Sequence, residues 1–148
     1  MRMIYFDMDG TIADLYGVEN WLPRLRDEDA TPYLEARPMC NMVILSELLM
    51  EARAQGYGIG IITWLSKDAT KAYKKAIKQA KKQWLTYHFK VDIDEVHFVQ
   101  YGTRKDYVAK DKQGIIFDDD GRVRGKWRGK AHNPTEVSII EILQELLK

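Results

Sequence analysis

Residues 4–14 read IYFDMDGTIAD. Ile4, Tyr5 and Phe6 form an apolar run with the composition of a buried strand, and the run stops against Asp7 and Asp9, two carboxylates one residue apart. A Gly10–Thr11 pair follows. Burying a charge without a partner is expensive, so acids at the end of a core strand need a reason other than packing. One reason is a strand-end turn, where Asp and Gly are frequent. The other is a site that uses the charge.

Working outward, four short runs read as buried strands: Met3–Phe6, Ile59–Thr63, Val96–Gln100 and Ile115–Phe117. Each is β-branched or aromatic and too short for a helix. Helical patterns lie between them. Pro38 to about Gln55 carries Met39, Met42, Val43, Leu45, Leu48, Leu49 and Ala52, with Pro38 in the first turn and Gly56 as the stop. Ser66 to about Tyr87 carries Ala69, Tyr73, Ile77, Ala80 and Trp84 along one stripe, with Ser66 as a possible cap. Near the C-terminus, Asn133 as cap, Pro134 and Glu136 precede Val137, Ile140, Leu143 and Leu147. Alternating strands and helices imply one α/β domain over residues 1–148, with a mostly parallel sheet covered on both faces. Residues 14–37 break the alternation and read as a small cap or lid insert, with Trp21, Leu22 and Tyr33 as its aromatic and apolar content. Residues 121–133 stay open between helix and loop, because Gly121, Gly125 and Gly129 weaken both.

Composition sets bounds. The 148 residues are 45% hydrophobic and 30% charged, which is ordinary for a globular chain. Lys and Arg total 23 against 22 Asp and Glu, so the net charge of +1 points to no partner. The lone Cys40 excludes an internal disulfide, sits in an apolar run as a small buried side chain, and suits a reducing compartment. No signal-peptide pattern or membrane-length apolar run is present, so a cytoplasmic protein is expected. His88, His97 and His132 lack metal-ligand spacing and receive no role.

In an open doubly wound sheet, ligands bind beyond the carboxyl ends of the strands. Every proposed strand here ends in reactive groups: Asp7 and Asp9, then Thr63, then Gly102–Lys105, then Asp118, Asp119 and Asp120. Crowded carboxylates repel one another unless a cation sits between them, and hard oxygen ligands suit Mg²⁺. In such a site Asp7 could attack phosphorus, and Asp9 could protonate the leaving oxygen and then activate water. Thr63 and the amides near Gly10 and Trp64 could hold phosphoryl oxygens, with Lys105 offsetting charge. Alternatives stand beside three of these. Lys110 competes with Lys105, Ser66 with Thr63, and any of Asp118, Asp119 and Asp120 could face the metal.

DMDGT after a strand, IITWLS, the lysine in YGTRKDYVAK and IIFDDD, in that order, resemble the haloacid dehalogenase (HAD) superfamily. The resemblance implies a Rossmann-like three-layer sandwich and Mg²⁺-dependent phosphatase chemistry. It implies Asp7 as nucleophile, Asp9 as acid/base, Thr63 and Lys105 as phosphate ligands, and Asp118 and Asp119 as metal ligands along with Asp7 and Asp9. TRKDYVAK and FDDDGRVRGKWR are also similar to the phosphatase half of phage-type polynucleotide kinase-phosphatases, which implies a nucleotide or nucleic-acid-end phosphate. No GxxxxGK[ST] kinase loop is present.

Charge placement bears on the substrate. Lys67, Lys71, Lys74, Lys75, Lys78, Lys81 and Lys82 read as one face of the second helix, either a solvated surface or a polyanion site. Arg122, Arg124, Lys126, Arg128 and Lys130 surround Trp127 just after the acidic run, where Trp127 could offer a surface to a base; Arg104, Arg122, Trp127 and Arg128 are therefore candidate substrate contacts. The competing expectation is a HAD-like module that binds phosphate or nucleic acid without turnover. Oligomeric state is open.

Overall fold

The computed structural model describes residues 1–148. Its centre is β1 (Arg2–Phe6), which pairs in parallel with β4 (Tyr57–Trp64) on one side and β6 (Ile115–Phe117) on the other. β5 (Glu95–Val99) extends the sheet beyond β4, and β7 (Ala131–His132) beyond β6, giving the order β5-β4-β1-β6-β7 with every pairing parallel. Strands buried on both sides carry continuous apolar runs rather than alternation, which is why the four runs were legible.

Side chains alternate across the sheet. Ile4, Phe6, Ile59, Ile61, Ile115 and Phe117 meet α3 (Met42–Ala54), the far half of α4 (Lys71–His88) and α7 (Ile139–Leu146). Met3, Tyr5, Ile62 and Ile116 face the other way, against Ala109, which follows the short α5 (Lys105–Val108), and against Val123 and Trp127 of and after α6 (Gly121–Lys126). Helices on both faces make the three-layer α/β architecture expected from the sequence.

Between β1 and α3 the chain makes a small insert. β2 (Ala13–Asp14) and β3 (Arg37–Pro38) pair antiparallel as its neck, and a 3₁₀ turn at Leu15–Gly17, α1 (Trp21–Arg26) and α2 (Thr31–Glu35) form its body. Leu15 and Tyr33 pack there against Leu65, Tyr73, Ile77 and Ala80, so the insert rests on the rim end of α4.

Several boundaries differ from the expectation, each for a local reason. Pro38 is not in a first turn: it pairs with Ala13, and α3 starts later because the Asn41 carboxamide oxygen accepts from the Val43 and Ile44 amides. Ser66 is not a cap. Thr70 caps α4 by accepting from the Tyr73 amide, and Ser66 bonds the Tyr33 hydroxyl instead. Asn133 closes an isolated turn, while Ser138 caps α7. Cys40 is half-buried at the core margin rather than enclosed. The undecided segment resolves into α6 and the edge strand β7. Gly129 permits that crossing, since a Cβ there would lie 2.1 Å from the Gly114 carbonyl oxygen.

Candidate active site

β1 and β6 are neighbours whose onward connections leave in opposite directions, so the crevice at their carboxyl ends is the sheet's switch point. Asp7 and Asp118 lie at those two ends. The Asp7 amide donates to the Phe117 carbonyl at 3.0 Å and the Asp118 amide to the His132 carbonyl at 3.1 Å, which continues the ladder and fixes both residues. Met8 turns into the core, leaving Asp7 and Asp9 on the polar side of the turn that follows.

Asp7, Asp118 and Asp119 each offer a carboxylate oxygen, and these oxygens lie within 4.8 Å of one another. What each side chain does separates the three acids of the run. Asp120 is diverted: it caps α6 through the Arg122 amide and pairs with the Arg122 guanidinium at 2.7 Å. Gly10 has φ +78°, and a Cβ at that position would fall 2.1 Å from the Asp119 Oδ2. Only glycine both makes this left-handed turn and lets Asp119 approach. The Gly10 amide itself donates to the Ala13 carbonyl at 2.9 Å, so it is not free to hold a phosphoryl oxygen as expected.

Two buried lysines face these acids. Lys105 opens α5 and donates to Asp7 Oδ1 at 2.9 Å and Asp118 Oδ2 at 2.7 Å. Lys110, its rival in the sequence, lies away from the rim, its amide donating to Glu95. The second lysine was not foreseen. Lys81 of α4, read from the sequence as part of the exposed basic face, is 1% exposed. Its Nζ donates to Asp9 Oδ2 at 2.9 Å, Thr63 Oγ1 at 2.6 Å and the Trp64 carbonyl at 2.8 Å, which uses all three ammonium protons. Thr63 is fully buried behind this contact and is not in the cavity wall, whereas Ser66 is. Because Thr63 accepts from Lys81, its own hydroxyl proton stays available to donate.

The electrostatics follow from burial. Desolvation pushes the Asp9 carboxyl up; Lys81 opposes the shift and Asp7 adds to it. Burial and then the Asp7 charge raise the Asp118 and Asp119 carboxyls as well. Burial works against the Lys105 charge, yet Asp7 and Asp118 together outweigh it and push its pKa up. Four carboxylates (Asp7, Asp9, Asp118, Asp119) therefore share two ammonium groups, Lys81 and Lys105. The oxygen-only donor set and the surplus of negative charge fit a hard divalent cation.

Above the acids lies a cavity of about 900 Å³. Tyr16, Trp21 and Tyr33 of the insert wall one side; Trp64 and Tyr101 wall the other. The Arg122 guanidinium lies 5.2 Å from the Trp64 ring and 5.7 Å from that of Tyr101, and these two rings are 5.1 Å apart. Arg122 thus borders the site. Trp127 does not: it is 7% exposed, meets the Tyr5 ring at 5.5 Å and donates its indole N–H to the Gly114 carbonyl at 2.8 Å. A buried indole that finds its partner in the backbone offers no surface to a base. Arg104 pairs with Asp106 at 2.6 Å over the Tyr107 ring, and neither it nor the exposed Arg128 lines the cavity.

Among solved structures, D,D-heptose 1,7-bisphosphate phosphatase from Burkholderia thailandensis matches with a TM-score of 0.54 over 100% of this chain and 99% of that one, at 10% identity. The chain shares the fold of that phosphatase. A structural-genomics target from Vibrio cholerae also matches end to end, at 20% identity and a TM-score of 0.41, too low to add to the comparison. No protein-family model matches the sequence, and no curated protein is similar to it. No helix is long and apolar enough to cross a membrane.

Proposed function

We propose that this protein is a Mg²⁺-dependent phosphomonoester hydrolase that works through an aspartyl-phosphate on Asp7. The observation that carries the reading is the excess of buried carboxylates over ammonium groups at the switch point, beneath an open cavity. A fold shared with a phosphatase agrees with the reaction class. Asp7, Asp118 and Asp119 would hold the cation, which when bound would neutralise charge on the transferring phosphoryl group.

The chain's own groups divide the remaining work. An Asp7 carboxylate oxygen attacks phosphorus while the ester oxygen leaves. Asp9, with its pKa raised by burial, carries the proton that the leaving oxygen takes up; as a carboxylate it then accepts a proton from the water that attacks the aspartyl-phosphate. Thr11 donates to Asp7 Oδ2 at 3.0 Å and Lys105 to Oδ1, which aligns the nucleophile. Lys105 also offsets charge on the phosphoryl oxygens, and Ser66, in the cavity wall, donates to them. Lys81 is the positioning residue for Asp9. The insert over residues 14–37 serves as the lid.

For the substrate we favour a nucleotide or a nucleic-acid-end phosphate over a sugar phosphate. The aromatic walls support this, with the Arg122 guanidinium 5.2 Å from the Trp64 ring beside them, since planar rings and guanidinium groups stack on bases. The test is phosphate release from p-nitrophenyl phosphate, mononucleotides and 3′- or 5′-phosphorylated oligonucleotides, with and without a Mg²⁺ chelator. Mg²⁺-dependent release is the expected result. Binding without release from any of them would replace the enzyme with a phosphate-binding module of the same fold.

A further inference from the structure

The outward face of α4 takes no part in the site just described. The helix carries Lys71, Lys74, Lys75, Lys78, Lys81 and Lys82 and no Asp or Glu, whereas the whole chain is only +1, so the rest of the molecule is net acidic. The only α4 lysine in an ion pair is the buried Lys81. Lys71, Lys75, Lys78 and Lys82 are exposed and recur at i, i+4, i+7 and i+11, within about 60° of arc at ~100° per residue. They form a straight ridge about 16 Å long. Like charges at i, i+4 disfavour a helix by a few tenths of a kcal/mol per pair, and a merely solvated face would intersperse Glu. This face does not.

The ridge connects to the cavity. Lys67, just ahead of α4, lines it. Lys78 and Lys82 lie 5.8 Å and 5.9 Å from the ring of Phe98, which stands opposite Thr63 in the β4–β5 register. Three residues on, Tyr101 forms part of the cavity wall. A polyanion leaving the cavity past Tyr101 therefore meets an aromatic ring and then a line of unpaired ammonium groups.

We infer that this ridge is the docking track for a nucleic-acid strand whose terminal phosphate occupies the active-site cavity, an inference that rests on the phosphatase reading above and names its substrate as a polymer end rather than a free nucleotide. The ridge is long enough to meet on the order of four backbone phosphates. Aromatic rings along the path favour a strand with bases over other polyanions. An anionic membrane fits less well, because the apolar side of α4 is packed into the protein and cannot insert.

The test compares kcat/KM on a mononucleotide and on phosphorylated single strands of increasing length across a salt series, for the natural chain and for Lys71→Gln/Lys75→Gln/Lys78→Gln/Lys82→Gln. On strands the natural chain should gain about tenfold or more over the mononucleotide at low salt, with a log–log salt slope near −3 that the Gln variant flattens. The matching Lys→Arg variant should keep both, and p-nitrophenyl phosphate, too small to reach the ridge, should be turned over equally by all three. Equal rates on mononucleotide and strand, or an unchanged salt slope in the Gln variant, would overturn the inference. Should the natural chain release no phosphate from anything, the phosphatase reading fails while anisotropy of a labelled strand still decides the surface: tight, salt-sensitive binding lost in the Gln variant supports it, and binding indifferent to the variant refutes it. Anionic phospholipid vesicles competing as well as a strand would also refute it.

Discussion

Two polar clusters lie in or against the core of this molecule, and they differ in what satisfies them. Away from the rim, the Tyr5 hydroxyl donates to Glu95 Oε1 at 2.9 Å and accepts from the Asp111 amide at 3.0 Å. Glu95 Oε2 accepts from the Lys110 amide at 3.0 Å and meets His97 Nε2 at 2.8 Å, while Asp111 Oδ2 accepts from the Met3 amide at 2.9 Å. Every group there answers another, and backbone amides supply most of the donors. At the rim, by contrast, side chains face side chains, and four carboxylates share two ammonium groups beneath a cavity of about 900 Å³. A closed network fixes a fold. An unbalanced one facing a cavity stores a demand for charge that a ligand can meet.

The comparison breaks most sharply at Asp7. Asp7→Asn should reduce phosphate release by about 10³-fold or more, because the proposed nucleophile is gone. Its thermal midpoint should hold or rise, since one of the repelling carboxylates has been neutralised. Phosphate-release kinetics with a parallel melt check both halves. Full activity in this variant would show that the rim cluster is structural like its counterpart.

Lys81 tests whether the surplus is tuned. Lys81→Met removes the donor to Asp9, Thr63 and Trp64 together, and kcat should fall about 10²-fold, the lower range for impaired general acid–base catalysis. Asp9 would lose the interaction that opposes its raised pKa, so the pH–rate profile should move toward higher pH. Burying Asp9 unpaired should also lower stability. A stability loss with an unmoved profile would mean that Lys81 only packs.

A smaller effect is expected from the metal and pH together. In the metal-free protein Asp118 and Asp119 have folded-state pKa values raised above the unfolded range near ~4. Such groups favour the folded state below that range and lose the contribution as pH rises through the raised folded values. The metal-free midpoint should therefore drop as pH climbs from ~4 toward and past neutrality. Mg²⁺ binds the carboxylates, so its stabilisation should appear over the same climb, reaching about 2.7 kcal/mol at a hundredfold excess over Kd. Melts with and without Mg²⁺ across that range check the sign.

What could be seen in the sequence, and what could not, follows the same physics. Asp7 and Asp118 were legible as strand-end acids because each directly follows a β-branched or aromatic run, and a strand-end position is a local property; which of Asp118, Asp119 and Asp120 would face the cavity was not. Lys81 was hidden by its charge. It is four residues from Ile77 and three from Trp84, both buried, and that spacing alone places it on the inward stripe; counting it with its exposed neighbours on charge overrode the period. Trp127 was misread for the opposite reason. Arginines and glycines around it suggested a surface, but its fate depends on a carbonyl at Gly114, thirteen residues away, which no local pattern reveals. The insert's neck was equally unreadable, because β2 and β3 are two residues each and exist through pairing with one another.

Tyr5→Phe probes the satisfied cluster and should cost activity nothing. The substitution keeps the ring, and with it the contact to Trp127, but removes an oxygen that both donates to Glu95 and accepts from the Asp111 amide. Two buried partners are left unanswered, which should lower stability by about 1–3 kcal/mol. Because the Tyr5 hydroxyl bonds only Glu95 and the Asp111 amide, neither of which is bonded to the rim carboxylates, the loss has no direct route to them. Urea unfolding should report the destabilisation while kcat and KM stay within about twofold of the natural values. A fall in kcat matching that of Lys81→Met would join the two clusters into one network through β1, and the distinction between a closed and an open polar core would no longer describe this protein.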